Sequence, residues 1–254
     1  MRMLIYRRGG IGDVLLLVPV IANLKKDDSC IIDGWGGSSV FLYLKQKNII
    51  NNFYYEESII NQKYDRGYLF TEQSTILSKA REICSDVKVI PPLPQSGYKN
   101  HILDYYSEEL GIAIDKEKAY LENVPASCDG RVPMGCSGFM VIHPGSGSKN
   151  KVVSPEYIFN FLKEQKIDKL KKEIIFGPWD VQIAEEWLPY KTKYFNTLIE
   201  VEKILLKSEL YIGMDSGISH LAGLLGIKGY VFFKNSDPFI WRPVGKNLIV
   251  LKVQ

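Results

Sequence analysis

The chain has 254 residues, of which 46% are hydrophobic and 24% charged, the composition of an ordinary globular protein with room for one large or two small α/β domains. A net charge of +3 is too small to support a nucleic-acid partner. Cys30, Cys84, Cys128 and Cys136 are scattered without a CxxC, and with three histidines they make no zinc pattern, so free thiols in a reducing cytosol are expected.

Met3–Tyr6 reads as a buried strand. Gly9, Gly10 and Gly12 then predict a tight turn that leaves no room for Cβ atoms. Asp13 starts a helix with Val14, Leu17, Val18, Ile21 and Leu24 on its apolar face. Pro19 cannot donate to the Leu15 carbonyl and should bend that helix. The apolar run Val14–Ala22 is too short to span a membrane. Glycine-rich first loops occur in many nucleotide-binding folds, and this one lacks both G-x-G-x-x-G and G-K-[ST]. CIIDGW, INNFYYEE and YDRGYLF look like further strand ends. PPLPQSGYKN is a turn-rich loop, and His101–Leu110 has helical spacing up to Gly111, with His101 as a surface or capping residue. A Gly-, Pro- and Ser-rich linker follows, so the expected units are 1–125 and 138–254, joined by 126–137.

The second unit opens with a buried strand, Phe139–His143. The PGSGS loop after it, with Ser146 and Gly147, offers backbone donors and hydroxyls to an anion. Next comes a helix with Tyr157, Ile158, Phe161 and Leu162 on one face. The basic run Lys163–Lys172 reads as a solvated helix end and loop, with contact to an anionic membrane surface or acceptor as the alternative. EIIF is a strand, and Asp180 stands where it could cap a helix containing Ile183, Ala184 and Trp187. An amphipathic helix over Thr197–Lys207 leads into the strand Leu210–Gly213. Asp215 then reads as the N-cap of a helix, with Ser216 and Gly217 in the first turn and Ile218, Leu221, Ala222, Leu224 and Leu225 on its apolar face. Gly226 stops that helix before the strand Gly229–Phe233. A helix N-terminus at the carboxyl end of a parallel strand favours a phosphate, and Ser216 and His220, four residues apart, could join its backbone donors around one diphosphate. The plainer alternative is an ordinary βαβ unit.

The strings DSGISHLAGLLG and DPFIWRPVG resemble the donor-site signature of glycosyltransferase family 9, the lipopolysaccharide heptosyltransferases. Asp215, Ser216, Gly217, His220, Leu221, Ala222, Gly226, Asp237, Pro238 and Pro243 carry the match. Gly12, Asp13, Leu16 and Pro19 fit the family's opening pattern, and the stretch from His143 to Lys151 resembles its second loop. By that resemblance Asp13 is the catalytic base, in a loop with Gly10 and Gly12 on the acceptor side. Asp13 as a first-turn charge that only stabilises its helix is the alternative. The resemblance puts Lys151, with Lys149 as competitor, on the donor diphosphate beside Ser146, Gly147, Asp215, Ser216, Gly217 and His220. Val153 and Ser154 replace the family's Trp-Pro after that lysine. Asp180 falls on the family's acidic residue for the donor ribose, where a carboxylate can accept from both hydroxyls of a diol.

The fold class implied is α/β, with two doubly wound Rossmann-like domains facing across a cleft (GT-B), a short first domain and no C-terminal crossover helix after VGKNLIVLKVQ. The implied function is an inverting, metal-independent, cytoplasmic glycosyltransferase. It takes a nucleotide-sugar donor, ADP-heptose first, and a glycan or lipid-linked glycan acceptor. It needs no cofactor, and peripheral contact with the inner face of the membrane is open, as is the oligomeric state. A non-catalytic nucleotide-sugar or glycan-binding module on the same fold is the alternative.

Overall fold

The computed structural model describes residues 1–25, 27, 29–37, 39–116, 121, 138–178, 180–188 and 190–253. The expected linker 126–137, with Cys128 and Cys136, lies outside the described residues. The chain divides into two units, Met1–Ala119 and Tyr120–Gln254. Among the described residues, no helix is long and apolar enough to cross a membrane.

The first unit is a five-stranded parallel sheet in the order β3-β2-β1-β4-β5. The strands are β1 (Arg2–Arg7), β2 (Ile31–Trp35), β3 (Asn52–Tyr54), β4 (Tyr64–Phe70) and β5 (Cys84–Val89). β1 sits at the centre because its apolar run is covered on both faces, and Met3 to Tyr6 are wholly buried. The expected first helix is two, α1 (Ile11–Leu15) and α2 (Leu17–Leu24), broken at Leu16. Pro19 has no N–H to offer the Leu15 carbonyl, so the chain resets there instead of bending smoothly. Three further helices complete the unit: α3 (Ser39–Gln46), α4 (Ser74–Ile83) and α5 (Ile102–Leu110). His101 caps α5 through Nδ1, which accepts from Leu103 N at 3.2 Å, and it is buried rather than on the surface. Gly111 ends α5 in the left-handed conformation, φ 68°.

The second unit is a six-stranded parallel sheet in the order β11-β10-β9-β6-β7-β8. Its strands are β6 (Phe139–His143), β7 (Lys171–Phe176), β8 (Thr192–Tyr194), β9 (Leu210–Met214), β10 (Gly229–Phe233) and β11 (Leu248–Lys252). The order reverses between β6 and β9, the place where doubly wound sheets open a crevice at their strand ends. The helices are α6 (Pro155–Glu164), α7 (Leu198–Leu205), α8 (Gly217–Leu224) and the short α9 (Pro238–Trp241). Met140, Ile142, Ile158, Leu162, Phe176, Trp187, Ile212 and Phe232 form the core between sheet and helices. The residues around Ile183 and Trp187 form a 3-10 helix, Val181–Trp187, not the expected α-helix. In the basic run after α6, Lys171 pairs with Glu173 at 2.8 Å and Lys172 Nζ donates to the Leu170 carbonyl at 2.9 Å.

α8 is buried from Ile218 to Leu224, on more than the predicted apolar face. Two contacts explain this. Gly223 lies so close to the chain after α9 that a Cβ would stand 2.0 Å from the Val244 carbonyl oxygen. On another side Ser219 Oγ donates to the Met214 carbonyl and lies 3.0 Å from Tyr211 Oη. The Pro243-Val244 part of the second motif is thus a packing partner of the first. Gly226, φ 67°, stops α8 as expected.

Candidate functional site

Three loops of the second unit leave the carboxyl ends of β6, β7 and β9 beside the strand-order reversal. The loop after β9 carries Asp215, Ser216 and Gly217. Asp215 was expected as the N-cap of α8, but Ser216 is the cap, its Oγ accepting from Ser219 N at 3.4 Å. Either residue type suits a cap. Asp215 is held outside the helix because its N–H donates to the Phe232 carbonyl (3.0 Å) and its own carbonyl accepts from Ser146 Oγ (2.7 Å). Its carboxylate is therefore free to turn outward. Oδ2 pairs with Lys151 Nζ at 2.6 Å and also accepts from Ser236 Oγ.

Lys151 comes from the 3-10 turn Lys149–Lys151 in the loop after β6. The structure thus brings Ser146, Lys151, Asp215 and Ser216 together, whereas neither Lys149 nor Gly147 has a contact that ties it to the group. A Cβ on Gly147 would stand in open space. The family's Trp-Pro has a local replacement. Ser154 caps α6 (Oγ from Tyr157 N, 3.3 Å) with Pro155 at the first helical position, and Val153 is buried in the core. An ionised carboxylate only accepts hydrogen bonds, so the Asp215 side chain offers no donor to an anion and is tied to Lys151 instead. The donors for an anion are the Lys151 ammonium, the Ser216 hydroxyl and the N-terminal amides of α8, starting at Gly217, whereas the single hydroxyl proton of Ser146 is taken by the Asp215 carbonyl. His220 is buried on the second turn of α8.

Asp180 precedes the 3-10 helix but makes no side-chain cap. Its buried Oδ2 accepts from Gly177 N at 2.7 Å and lies 3.2 Å from His143 Nε2. Burial works to raise this carboxyl. The hydrogen bond and charge of His143, with the Gly177 N–H, outweigh it and hold the group below the usual carboxylate range. Gly145 is the seat of that carboxylate, since a Cβ there would meet Asp180 Oδ1 at 1.9 Å. The other ring nitrogen of His143, Nδ1, lies 3.4 Å from Ser216 Oγ. The strand reading of Phe139–His143 gave His143 no role. Its signal was an imidazole closing an apolar strand directly before a loop of hydroxyls and glycines.

In the first unit, Asp13 is the third residue of α1, and Gly10 is the N-cap. Asp13 Oδ2 accepts from Gly10 N at 2.8 Å, and Oδ1 accepts from Arg7 Nη2 at 2.7 Å. This is half of a capping box, because glycine has no side chain to return the bond. Arg7, the last residue of β1, is 2% exposed. Of the three loop glycines only Gly9 fits the expected Cβ-free turn. Its φ is +158°, and a Cβ would meet Asp13 Oδ2 at 2.6 Å. Gly10, at φ −71°, has a backbone any residue adopts, and Gly12 lies inside α1. Arg7 is the residue that the sequence reading passed over. A charge following directly on a buried apolar run, six residues before Asp13, was its signal.

Among the described residues, no group of three or more His, Cys, Asp or Glu side chains could hold a metal ion.

No family model and no curated protein matches the chain. Solved structures do. E. coli heptosyltransferase WaaC with ADP superposes with a TM-score of 0.72 at 13% identity, over 100% of this chain and 94% of that one. A glycosyl transferase of family 9 from Veillonella parvula gives 0.71 at 15% identity, over 100% and 87%. E. coli ADP-heptose lps heptosyltransferase II gives 0.68 at 14%, over 99% and 90%. The chain has the fold of the family 9 heptosyltransferases.

Proposed function

We propose that this chain is an inverting glycosyltransferase. It would move a sugar, a heptose in the first instance, from a nucleotide-diphosphate donor such as ADP-heptose to a hydroxyl of a lipopolysaccharide-type or other glycan acceptor. The observation that carries the reading is the Lys151–Asp215 pair, 2.6 Å long, beside the N-terminus of α8 where the strand order reverses. Similarity to heptosyltransferases that carry ADP or ADP-2-deoxy-2-fluoro heptose supports the donor class.

In this reading the donor's sugar–phosphate bond breaks and its electron pair leaves with the diphosphate. Lys151, Ser216 and the α8 amides stabilise the charge that develops there, so no metal ion is required. The acceptor oxygen forms the new bond from the opposite face, and its proton passes to Asp13. A carboxylate oxygen has a second lone pair, so Asp13 can take that proton while held by Arg7 and Gly10. Asp180, already committed to His143 and Gly177, would meet a ribose hydroxyl only with its remaining acceptor capacity. Buried free thiols at Cys30 and Cys84 suit a cytoplasmic enzyme, working at the inner face of the membrane if the acceptor is lipid-linked.

One observation favours the second reading, a non-catalytic nucleotide-sugar or glycan-binding module. Both oxygens of Asp13 are already engaged within its own unit, as a purely structural carboxylate would be. A thermal-shift panel of ADP-, UDP-, GDP- and CDP-sugars tests what the two readings share. Ligand at about 100-fold above Kd stabilises the folded state by about 2.7 kcal/mol, so the true donor raises the melting midpoint and the others do not. No shift with any nucleotide sugar would overturn the transferase reading and a nucleotide-sugar-binding module alike.

A further inference from the structure

The second unit contains a hydrogen-bonded chain, Asp180–His143–Ser216, whose middle member has no part in the transfer reaction proposed above. His143 is 5% exposed and closes β6. Nε2 is 3.2 Å from Asp180 Oδ2, and Nδ1 is 3.4 Å from Ser216 Oγ. Ser216 is the N-cap of α8, the helix whose first amides face the proposed diphosphate position. We propose that His143 is a positioning residue of the donor site, whose proton on Nδ1 decides whether the Ser216 hydroxyl points inward or toward a bound diphosphate. The inference rests on the donor reading given above.

Proton counting identifies the nitrogen that switches. Asp180 is held ionised, and a carboxylate can only accept, so Nε2 of His143 carries a proton in both charge states. Nδ1 is then the nitrogen that gains or loses one. With His143 neutral, Nδ1 is an acceptor and takes the single hydroxyl proton of Ser216. The Ser216 oxygen then presents only lone pairs to a phosphoryl oxygen, which is unfavourable. With His143 protonated, Nδ1–H donates to Ser216 Oγ. The hydroxyl proton is released to swing outward to the diphosphate, and a positive charge stands behind it. Besides the Tyr211 hydroxyl, an acceptor near that proton is Ser219 Oγ, at the longer distance of 3.5 Å. It already faces the Tyr211 hydroxyl at 3.0 Å.

Titratable groups on the surrounding elements include Tyr211 and Asp215 from β9 and its loop, Lys151 from the turn after β6, His220 on α8, and Lys171, Lys172 and Glu173 at the opposite end of β7. Burial drives the Tyr211 phenol well up, so it stays neutral. Lys151 and Asp215 neutralise each other. His220 is the one other imidazole in the unit besides His143. By linkage, acidification should tighten diphosphate binding, and diphosphate binding should draw a proton onto His143.

The test uses whichever of ADP-heptose and UDP-, GDP- and CDP-glucose binds, because a diphosphate diester keeps its charge across the imidazole range of about pH 5 to 8. Wild type should bind about tenfold more tightly at the acid end, the equivalent of one hydrogen bond to a charged group. His143→Gln can still reach Asp180 but cannot gain a charge, and its affinity should be flat across that range. A lost hydrogen bond of purely structural kind would lower the melting midpoint without removing the pH profile. A second measurement needs no variant. Calorimetry on wild type in buffers of different ionisation enthalpy should report proton uptake on binding near neutrality. A pH profile unchanged in His143→Gln, or no proton uptake by wild type, overturns the inference while leaving the donor reading intact. No binding of any of the four sugars removes the donor reading, and the inference with it.

Discussion

Asp13→Asn should destabilise the first unit by about 2–3 kcal/mol before it does anything to chemistry. Asp13 uses one oxygen on the Arg7 guanidinium (2.7 Å) and the other on the Gly10 N–H (2.8 Å). An asparagine amide has one accepting oxygen, so one of these donors must meet an NH₂ group instead. If the Arg7 contact is lost, the guanidinium keeps only a long contact to the Pro92 carbonyl, 3.4 Å, and its buried Nε has no partner. Losing one hydrogen bond with a charged partner costs about 1.5–3 kcal/mol, and stripping a buried charge of its counter-ion about 3–5 kcal/mol. The Asp13 side chain is 34% exposed, so water softens the loss toward the lower range. The assay is urea unfolding followed by circular dichroism, with Arg7→Gln and the double variant completing a cycle whose coupling energy isolates the pair. An unfolding midpoint equal to wild type would refute the structural argument. The same variant, assayed at a temperature where it is folded, should keep its affinity for nucleotide sugar and lose about 10²–10⁴-fold in turnover. An unchanged rate would remove Asp13 as base.

Gly145→Ala should cost about 1–3 kcal/mol, because its methyl group would occupy the place of the Asp180 carboxylate, which His143 and Gly177 hold fixed. A melting midpoint within error of wild type would show that Asp180 is not pinned. Binding of nucleotide sugar and sugar transfer should both survive EDTA, since Lys151 and the α8 amides supply the positive field. Strict dependence on added Mg²⁺ or Mn²⁺ would contradict that.

The elements that build the site were legible because they are simple. β1, β6, β9 and β10 are short apolar runs, and α8 announces itself by the spacing of Ile218, Leu221, Ala222 and Leu225. The edge strands β5, β8 and β11 went unread: Cys84–Val89 is half polar, Thr192–Tyr194 is a polar tripeptide, and Leu248–Lys252 is a short apolar run. Such strands are defined by pairing with a neighbour, which periodicity does not reveal. The cap of α8 was placed one residue early because Asp and Ser are both good caps. Contacts with Phe232 and Ser146, distant in sequence, decide between them. His143–Asp180 was missed for the same reason, since it joins a strand end to a loop that only the sheet brings near, whereas Arg7–Asp13 is a local contact across the turn from β1 to α1.

The central claim is that the loops after β6 and β9 bind a nucleotide diphosphate through Lys151. Calorimetry of Lys151→Gln beside wild type, using the sugar chosen by the thermal-shift panel, tests it directly. Glutamine can still donate to Asp215 but leaves that buried carboxylate without its counter-ion next to an incoming anion. Wild type should bind, and the variant, compared at a temperature where both are folded, should bind at least about tenfold more weakly, its melting midpoint lowered by the lost counter-ion. Equal affinity in the two proteins would contradict the claim.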